Sequence, residues 1–160
     1  MKLSFNQRLK SACIEKNSRL CIGLDIDPDR FSMERDTSLD GMEAFGKEVI
    51  DGTIAWCPVY KPNFAFFERY GSRGYILLEK LVDHINGRAI VIADAKRGDI
   101  NNTSRQYAKS ILDNMGCDAV TISPYMGRDA IEPFLENAEK GVFILSVTSN
   151  LSACEIQGND

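Results

Sequence analysis

The sequence predicts an α/β fold built on a parallel sheet, and three observations predict it. Five short apolar runs recur along the chain, continuous rather than alternating, as strands covered on both faces require. Each run ends in a cluster of polar residues. Amphipathic stretches with helical spacing separate the runs, and parallel strands need crossovers of that kind.

Taken in order, Phe5, Leu9, Ala12 and Cys13 form a helical stripe ahead of the first run, Leu20 to Leu24. Met42, Phe45, Val49, Ile50 and Ile54 form the next stripe, and the second run is Cys57 to Tyr60. A helix over Tyr75 to Ile85 carries Leu78, Leu81, Val82 and Ile85 at spacings of three and four, and Asn86-Gly87 reads as its C-terminal cap. The third run is Ala89 to Ala93. Tyr107, Ala108, Ile111, Leu112 and Met115 repeat the helical pattern up to Gly116, before the fourth run, Ala119 to Ile122. A last helix over Ala130 to Ala138 precedes the fifth run, Gly141 to Leu145. The element count alone fits either an open doubly wound sheet or part of a (β/α) barrel.

Composition bounds the function. The chain has 160 residues, a net charge of -4, 44% hydrophobic and 26% charged residues, enough for a core within one domain over 1–160. Mild acidity argues against nucleic acid, which usually needs a basic face. No run of about 18 apolar residues is present, so no membrane span is expected. The opening Met1 to Arg8 lacks the apolar core of a signal peptide. Cys13, Cys21, Cys57, Cys117 and Cys154 are odd in number and lack a C-x-x-C pair. Reduced thiols in a cytoplasmic protein are expected, and with His84 as sole histidine no zinc set is. The sequons opening at Asn101, Asn102 and Asn150 are chance matches.

Both candidate fold types place their chemistry at the carboxyl ends of strands. Those ends read Asp25-Ile26-Asp27-Pro28, Lys61-Pro62-Asn63, Asp94-Ala95-Lys96-Arg97-Gly98-Asp99, Ser123-Pro124-Tyr125, and Ser146 to Asn150. Side chains alternate along a strand, so Asp94 and Lys96 point the same way. Asp99 begins a turn into the helix that contains Thr103, and Lys61 stands ready to join from the neighbouring strand. With Asp25 included, an alternating string of two ammonium and three carboxylate groups is expected. A solvated loop is the plainer reading of one such cluster, but five polar strand ends in succession weigh against it. Arg97-Gly98-Asp99 carries no adhesion role in such a chain. His84 is expected at a helix end or on the surface, Trp56 in the core, and Arg97 and Arg128 as exposed loop charges.

These residues resemble the orotidine 5′-monophosphate decarboxylase family. The resemblance rests on Gly23-Leu24-Asp25, Tyr60-Lys61-Pro62-Asn63, Asp94 to Thr103, Ser123 to Gly127 and Thr148-Ser149-Asn150. It implies the first five βα units of a TIM (β/α)8 barrel, and decarboxylation of orotidine 5′-monophosphate to uridine 5′-monophosphate without metal or organic cofactor. By resemblance Lys96 delivers a proton to C6 of the pyrimidine, Asp94 lies against the departing carboxylate, and Lys61 bridges that network and the ribose. Asp25 then holds a ribose hydroxyl and Ser149 meets the pyrimidine. Asp99, Ile100 and Thr103 resemble residues of a site shared across a homodimer; Asn63 takes no transferable role. The chemistry is consistent, because loss of carbon dioxide from C6 leaves an electron pair that the ring delocalises poorly. With no electron sink, preorganised charge at that carbon must stabilise it.

The departure from the family is one of extent. A barrel takes about 250 residues, five strands leave two unpaired edges, and the family's phosphate grip comes from its last strands. A truncated piece of a longer enzyme, with little activity alone, is therefore expected, and Leu151 to Asp160 reads as the start of a further loop. Two other readings stay open: a metal-dependent sugar-phosphate decarboxylase or synthase of the same superfamily, against which Lys61 weighs, and an inactive nucleotide-binding half-barrel.

Overall fold

Five parallel strands pair in the order in which the chain makes them, β1-β2-β3-β4-β5. The structure, a computed structural model, describes residues 2–158, so Met1 and the last two residues of the predicted tail, Asn159 and Asp160, lie outside it. The strands are β1 (Cys21–Leu24), β2 (Val59–Pro62), β3 (Ile90–Arg97), β4 (Ala119–Ile122) and β5 (Gly141–Ile144). A doubly wound sheet reverses its strand order at a switch point. This order never reverses, so the sheet is a five-strand portion of a (β/α) barrel, with β1 and β5 as its edges.

The connecting helices are α1 (Phe5–Glu15), α2 (Leu39–Thr53), α3 (Ala65–Glu68), α4 (Ser72–Ile85), α5 (Asn101–Ala108), α6 (Arg128–Leu135) and α7 (Cys154–Gln157). The first is fixed by a capping box, in which Ser4 Oγ accepts from the Gln7 amide and Gln7 Oε1 accepts from the Ser4 amide. The stripe predicted from Tyr107 is longer than expected, with α5 starting at Asn101 and a π-helical turn, Lys109–Asn114, completing it. The single turns α3 and α7 have no counterpart in the periodicity, since four residues make too short a pattern. The predicted helix end at Ala138 moves back to Leu135.

Period-two alternation sorts the sheet into two faces. On one, Tyr60, Val91, Ala93, Val120 and Ile122 pack against α2, α4 and the π-helical turn after α5 through Met42, Ile50, Leu78, Leu81, Ile111 and Leu112, all buried. On the other, Val59, Ile90, Ile92 and Ala119 form a second cluster with Phe5, flanked by Leu9 and Ala12. The first helix therefore plugs the amino-terminal end of the strands. Phe5 sits so close to β5 that a Cβ on Gly141 would come within 2.5 Å of its ring. Arg8 holds the plug in place through Asp118 and the Glu139 carbonyl.

Two expectations are corrected. Continuous apolarity predicts strands covered on both faces; β2, β4 and β3 as far as Asp94 are covered in this way, but exposed residues appear at Lys96 near the end of β3, and in β1 and β5. Their apolar residues lie at the sheet edges, where Phe143 and Ile144 are exposed. Trp56, expected in the core, is 59% exposed. The chain turns tightly after α2, with the Trp56 amide on the Thr53 carbonyl, and Cys57 takes the buried position instead.

Candidate active site

The face of the sheet that is apolar under α1 becomes charged at the carboxyl ends of the same strands. Lys61 follows Val59 in phase on β2, Asp94 follows Ile92 on β3, and Thr121 follows Ala119 on β4. Asp94 is buried at 8% exposure and receives three donors. Lys61 Nζ lies 2.6 Å from its Oδ2, Lys96 Nζ lies 2.6 Å from its Oδ1, and Thr121 Oγ1 donates to Oδ1 at 2.9 Å. Burial pushes the Asp94 carboxyl up. The hydrogen bonds from Lys61, Lys96 and Thr121 outweigh that and hold it below the usual carboxylate range. The result is a fixed carboxylate between two ammonium groups, with Lys96 about half exposed.

The backbone departs from regular strand at this point. Between Ala93 and Arg97 the register of β3 against β4 shifts, and Lys96 has φ 47°. A left-handed conformation costs a side-chain-bearing residue roughly 1–2 kcal/mol. The charge-assisted bond from Lys96 to Asp94, reduced by solvent screening to about 1 kcal/mol because Lys96 is half exposed, offsets part of it. Beyond the bulge, Gly98 runs against β4 so closely that a Cβ there would stand 2.8 Å from the Ser123 carbonyl oxygen.

The expected string of five charges is not bonded together; three charged groups pair directly, and the other predicted residues make no direct bond to them. Asp25, exposed beyond β1, accepts from Asn63 Nδ2 at 2.7 Å rather than from a lysine. Asn63, to which the sequence assigned no role, therefore links the ends of β1 and β2. Asp99 lies past the end of β3, where its carboxylate accepts from the adjacent Ile100 amide at 2.7 Å. Ile100 is 56% exposed, and the Thr103 hydroxyl donates only to Asn102. Among the described residues no hydrogen bond or ion pair joins Asp99, Ile100, Thr103 or Ser149 to the Lys61–Asp94–Lys96 group. Ser149 is exposed in the segment after β5.

Arg97 is also corrected. Its side chain is 19% exposed, pairs with Glu68, receives Tyr75 as a further neighbour, and lies over the rings of Phe64 and Tyr107. The guanidinium turns inward because residue 97 has the opposite strand parity to Lys96, so it faces α3, α4 and α5. Arg128 is exposed, as expected, beside Glu132, and His84 sits in the last turn of α4 against Asp51. Thr121 was missed altogether. A threonine inside an apolar run looks like any β-branched strand former, and only its phase with Lys61 and Asp94 marks it.

A cavity of about 520 Å³ opens at the opposite end of the strands, beside α1. Of its charged lining groups, Arg8 pairs with Asp118, Arg88 with Asp51, and Lys16 donates to the Ile54 carbonyl. It is remote from the charged cluster. Among the described residues no three His, Cys, Asp or Glu side chains are grouped to hold a metal ion.

Residues 18–159 match the family described as orotidine 5′-phosphate decarboxylase / HUMPS. An orotidine 5′-phosphate decarboxylase of Christiangramia forsetii is 42% identical over 155 residues, covering 95% of this chain and 57% of the relative. One of Dehalococcoides mccartyi is 44% identical over 157 residues, covering 97% and 56%. Among solved structures, Leishmania donovani OMP decarboxylase superposes with a TM-score of 0.87 at 34% identity, over 99% of this chain and 59% of that one. The chain thus spans a little over half the length of the curated relatives it matches.

Proposed function

Because the chain belongs to the orotidine 5′-phosphate decarboxylase / HUMPS family, we propose that its residues 1–160 carry the chemical part of a decarboxylase site. The reaction converts orotidine 5′-monophosphate to uridine 5′-monophosphate in pyrimidine biosynthesis. The observation that carries this reading is the Asp94 carboxylate held 2.6 Å from each of two ammonium groups at the carboxyl ends of β2 and β3. The relatives at 42–44% identity, all named for this activity, support it over the sugar-phosphate members of the family.

In this mechanism the C6–carboxylate bond breaks, carbon dioxide departs and the electron pair stays on C6. The Lys96 ammonium lies where that charge develops, stabilises it, and passes its proton to C6. Asp94 fixes Lys96 and faces the leaving carboxylate, while Lys61 completes the array from β2. Asp25, steadied by Asn63, binds a ribose hydroxyl, and Ser149 meets the pyrimidine. Asp99, Ile100 and Thr103, whose side chains make no bond to Asp94 and of which Ile100 is 56% exposed, serve the site of a second copy in a homodimer, as the family resemblance implies. The reaction runs without metal or organic cofactor. A cytoplasmic location is consistent with five free cysteines and with the lack, among the described residues, of a helix long and apolar enough to cross a membrane.

The test is formation of uridine 5′-monophosphate from orotidine 5′-monophosphate, with and without chelator, by these residues within a chain completed to the full length of the relatives they match, and by its Lys96→Ala variant. Turnover that survives chelator and is lost in Lys96→Ala supports the proposal. Equal turnover in both proteins removes Lys96 from its role, and turnover abolished by chelator favours the metal-dependent sugar-phosphate chemistry.

A further inference from the structure

We propose that Thr121 is the positioning residue of the site: its hydroxyl fixes the bulge that turns Lys96 onto Asp94. The label of Lys96 as proton donor rests on the function proposed above, whereas the arrangement itself does not. A threonine hydroxyl has one donor and two acceptor places, and all three are filled from β3. Thr121 Oγ1 donates to Asp94 Oδ1 at 2.9 Å, accepts from the Ala95 amide at 3.1 Å, and accepts from the Lys96 amide at 3.0 Å.

Those two amides are the ones that the bulge removes from the ladder. Ala93 pairs with Val120 and Arg97 with Ile122, so three residues of β3 face only Thr121 on β4. An amide taken out of the ladder needs another partner, the more so where it is sheltered; the Ala95 amide is part-buried and the Lys96 amide borders solvent, where Lys96 adopts φ 47°. The hydroxyl supplies both partners and simultaneously orients the carboxylate that Lys96 reaches. Valine fills the same volume but supplies none of these contacts. Serine supplies all three.

At the amino-terminal end of β3 the same neighbour does the same service, because Asp118 Oδ2 accepts from the Val91 amide at 2.9 Å. Side chains of β4 and of the residue just before it thus pin β3 at both ends. Only the upper pin touches a charged group of the site.

The full chain tests this without substrate, so its outcome is independent of the decarboxylation assay. Two NMR readouts serve: hydrogen exchange of the Ala95 and Lys96 amides, and the titration midpoint of the Asp94 carboxyl. The groups facing Asp94 are Lys61 from β2, Lys96 from its own strand and Thr121 from β4, with Cys21 of β1 sensing both Lys61 and Asp94. Thr121→Val is expected to speed exchange at Ala95 and Lys96 at least tenfold and to raise the Asp94 midpoint, with exchange at Val91 and Val120 unchanged. Thr121→Ser restores both readouts. The proposal is overturned if Thr121→Val leaves Ala95, Lys96 and Asp94 as in the parent, or if Thr121→Ser behaves like Thr121→Val. Should the valine chain fail to fold, the parent decides: a slowly exchanging Thr121 hydroxyl proton close to Asp94 supports the arrangement, and a rapidly exchanging one refutes it.

Discussion

Replacing Asp94 by Asn keeps the shape of the site and removes one charge, so its cost can be worked from the contacts. The carboxylate accepts from Lys61, Lys96 and Thr121. An amide offers one acceptor oxygen and turns its NH2 toward a lysine, leaving two ammonium groups facing each other across a nearly buried site. A charge-assisted bond contributes about 1.5–3 kcal/mol. Lys61 and Lys96 are 33% and 52% exposed, so solvent screening puts each bond at or below the low end of that range. Regained lysine side-chain freedom and the acceptor oxygen that Asn keeps offset part of the loss, leaving a net destabilisation of about 1–2 kcal/mol for Asp94→Asn. Urea unfolding of both chains measures it: with a slope of about 2 kcal/mol per M, the midpoint falls by roughly 0.5–1 M while the slope stays constant. The gap must also depend on pH. The Asp94 carboxyl is held below its ordinary value of 3.8 in the folded chain, so its contribution is complete above that pH. It is lost as pH falls through the lower folded value. Equal midpoints at pH 7, or a gap that persists undiminished in acid well below pH 3.8, would show that Asp94 is not the charged hub of the site.

Arg97→Met keeps the apolar stem over Phe64 and Tyr107 and strands Glu68, whose carboxyl burial raises and whose bonds from Arg97 and Tyr75 lower on balance. A loss of about 2 kcal/mol by urea unfolding is expected, below the range for fully buried pairs because Glu68 is 31% exposed; an unchanged midpoint refutes the clasp. Cysteine labelling at pH 8 should modify the exposed Cys154 first. It should spare Cys117, whose thiol burial and the neighbouring Asp118 push up to about 12. Mass spectrometry that finds Cys117 alkylated in the folded chain as fast as Cys154 contradicts its burial.

The sequence made some of these features legible and hid others for physical reasons. Helical stripes such as Leu78, Leu81, Val82 and Ile85 are read directly, because burial of one face imposes the period. Lys61 and Asp94 are equally plain, since a parallel neighbour brings Lys61 alongside; Lys96 meets Asp94 as alternation predicts, but by way of a bulge that alternation does not contain. What depended on register was hidden. Nothing local distinguishes Thr121 from Val120 until the bulge in β3 opposite it is known. Arg97 sits in a motif that looks like a solvent loop, yet its strand parity turns it inward. Trp56 was misplaced because a large apolar side chain beside a strand normally packs, whereas a three-residue turn spent the buried position on Cys57. Charge number misled as well: Asp25 and Asp99 share the motif's composition, but their carboxylates accept from Asn63 and from the Ile100 amide rather than from the lysines.

The uninterrupted strand order has a consequence for how the protein is made. Every sheet contact joins one strand to its immediate predecessor, and registered partners lie about 20–40 residues apart along the chain. Loop-closure entropy across that span varies by only about 0.5 kcal/mol, too little to favour one pairing over another. The order of assembly is then free to follow the order of synthesis: each strand leaving the ribosome finds its only earlier neighbour already formed. Lys61 is laid down before Asp94, and the bulge of Lys96 stays open until Thr121 arrives. The proton-bearing corner therefore closes with the fourth strand.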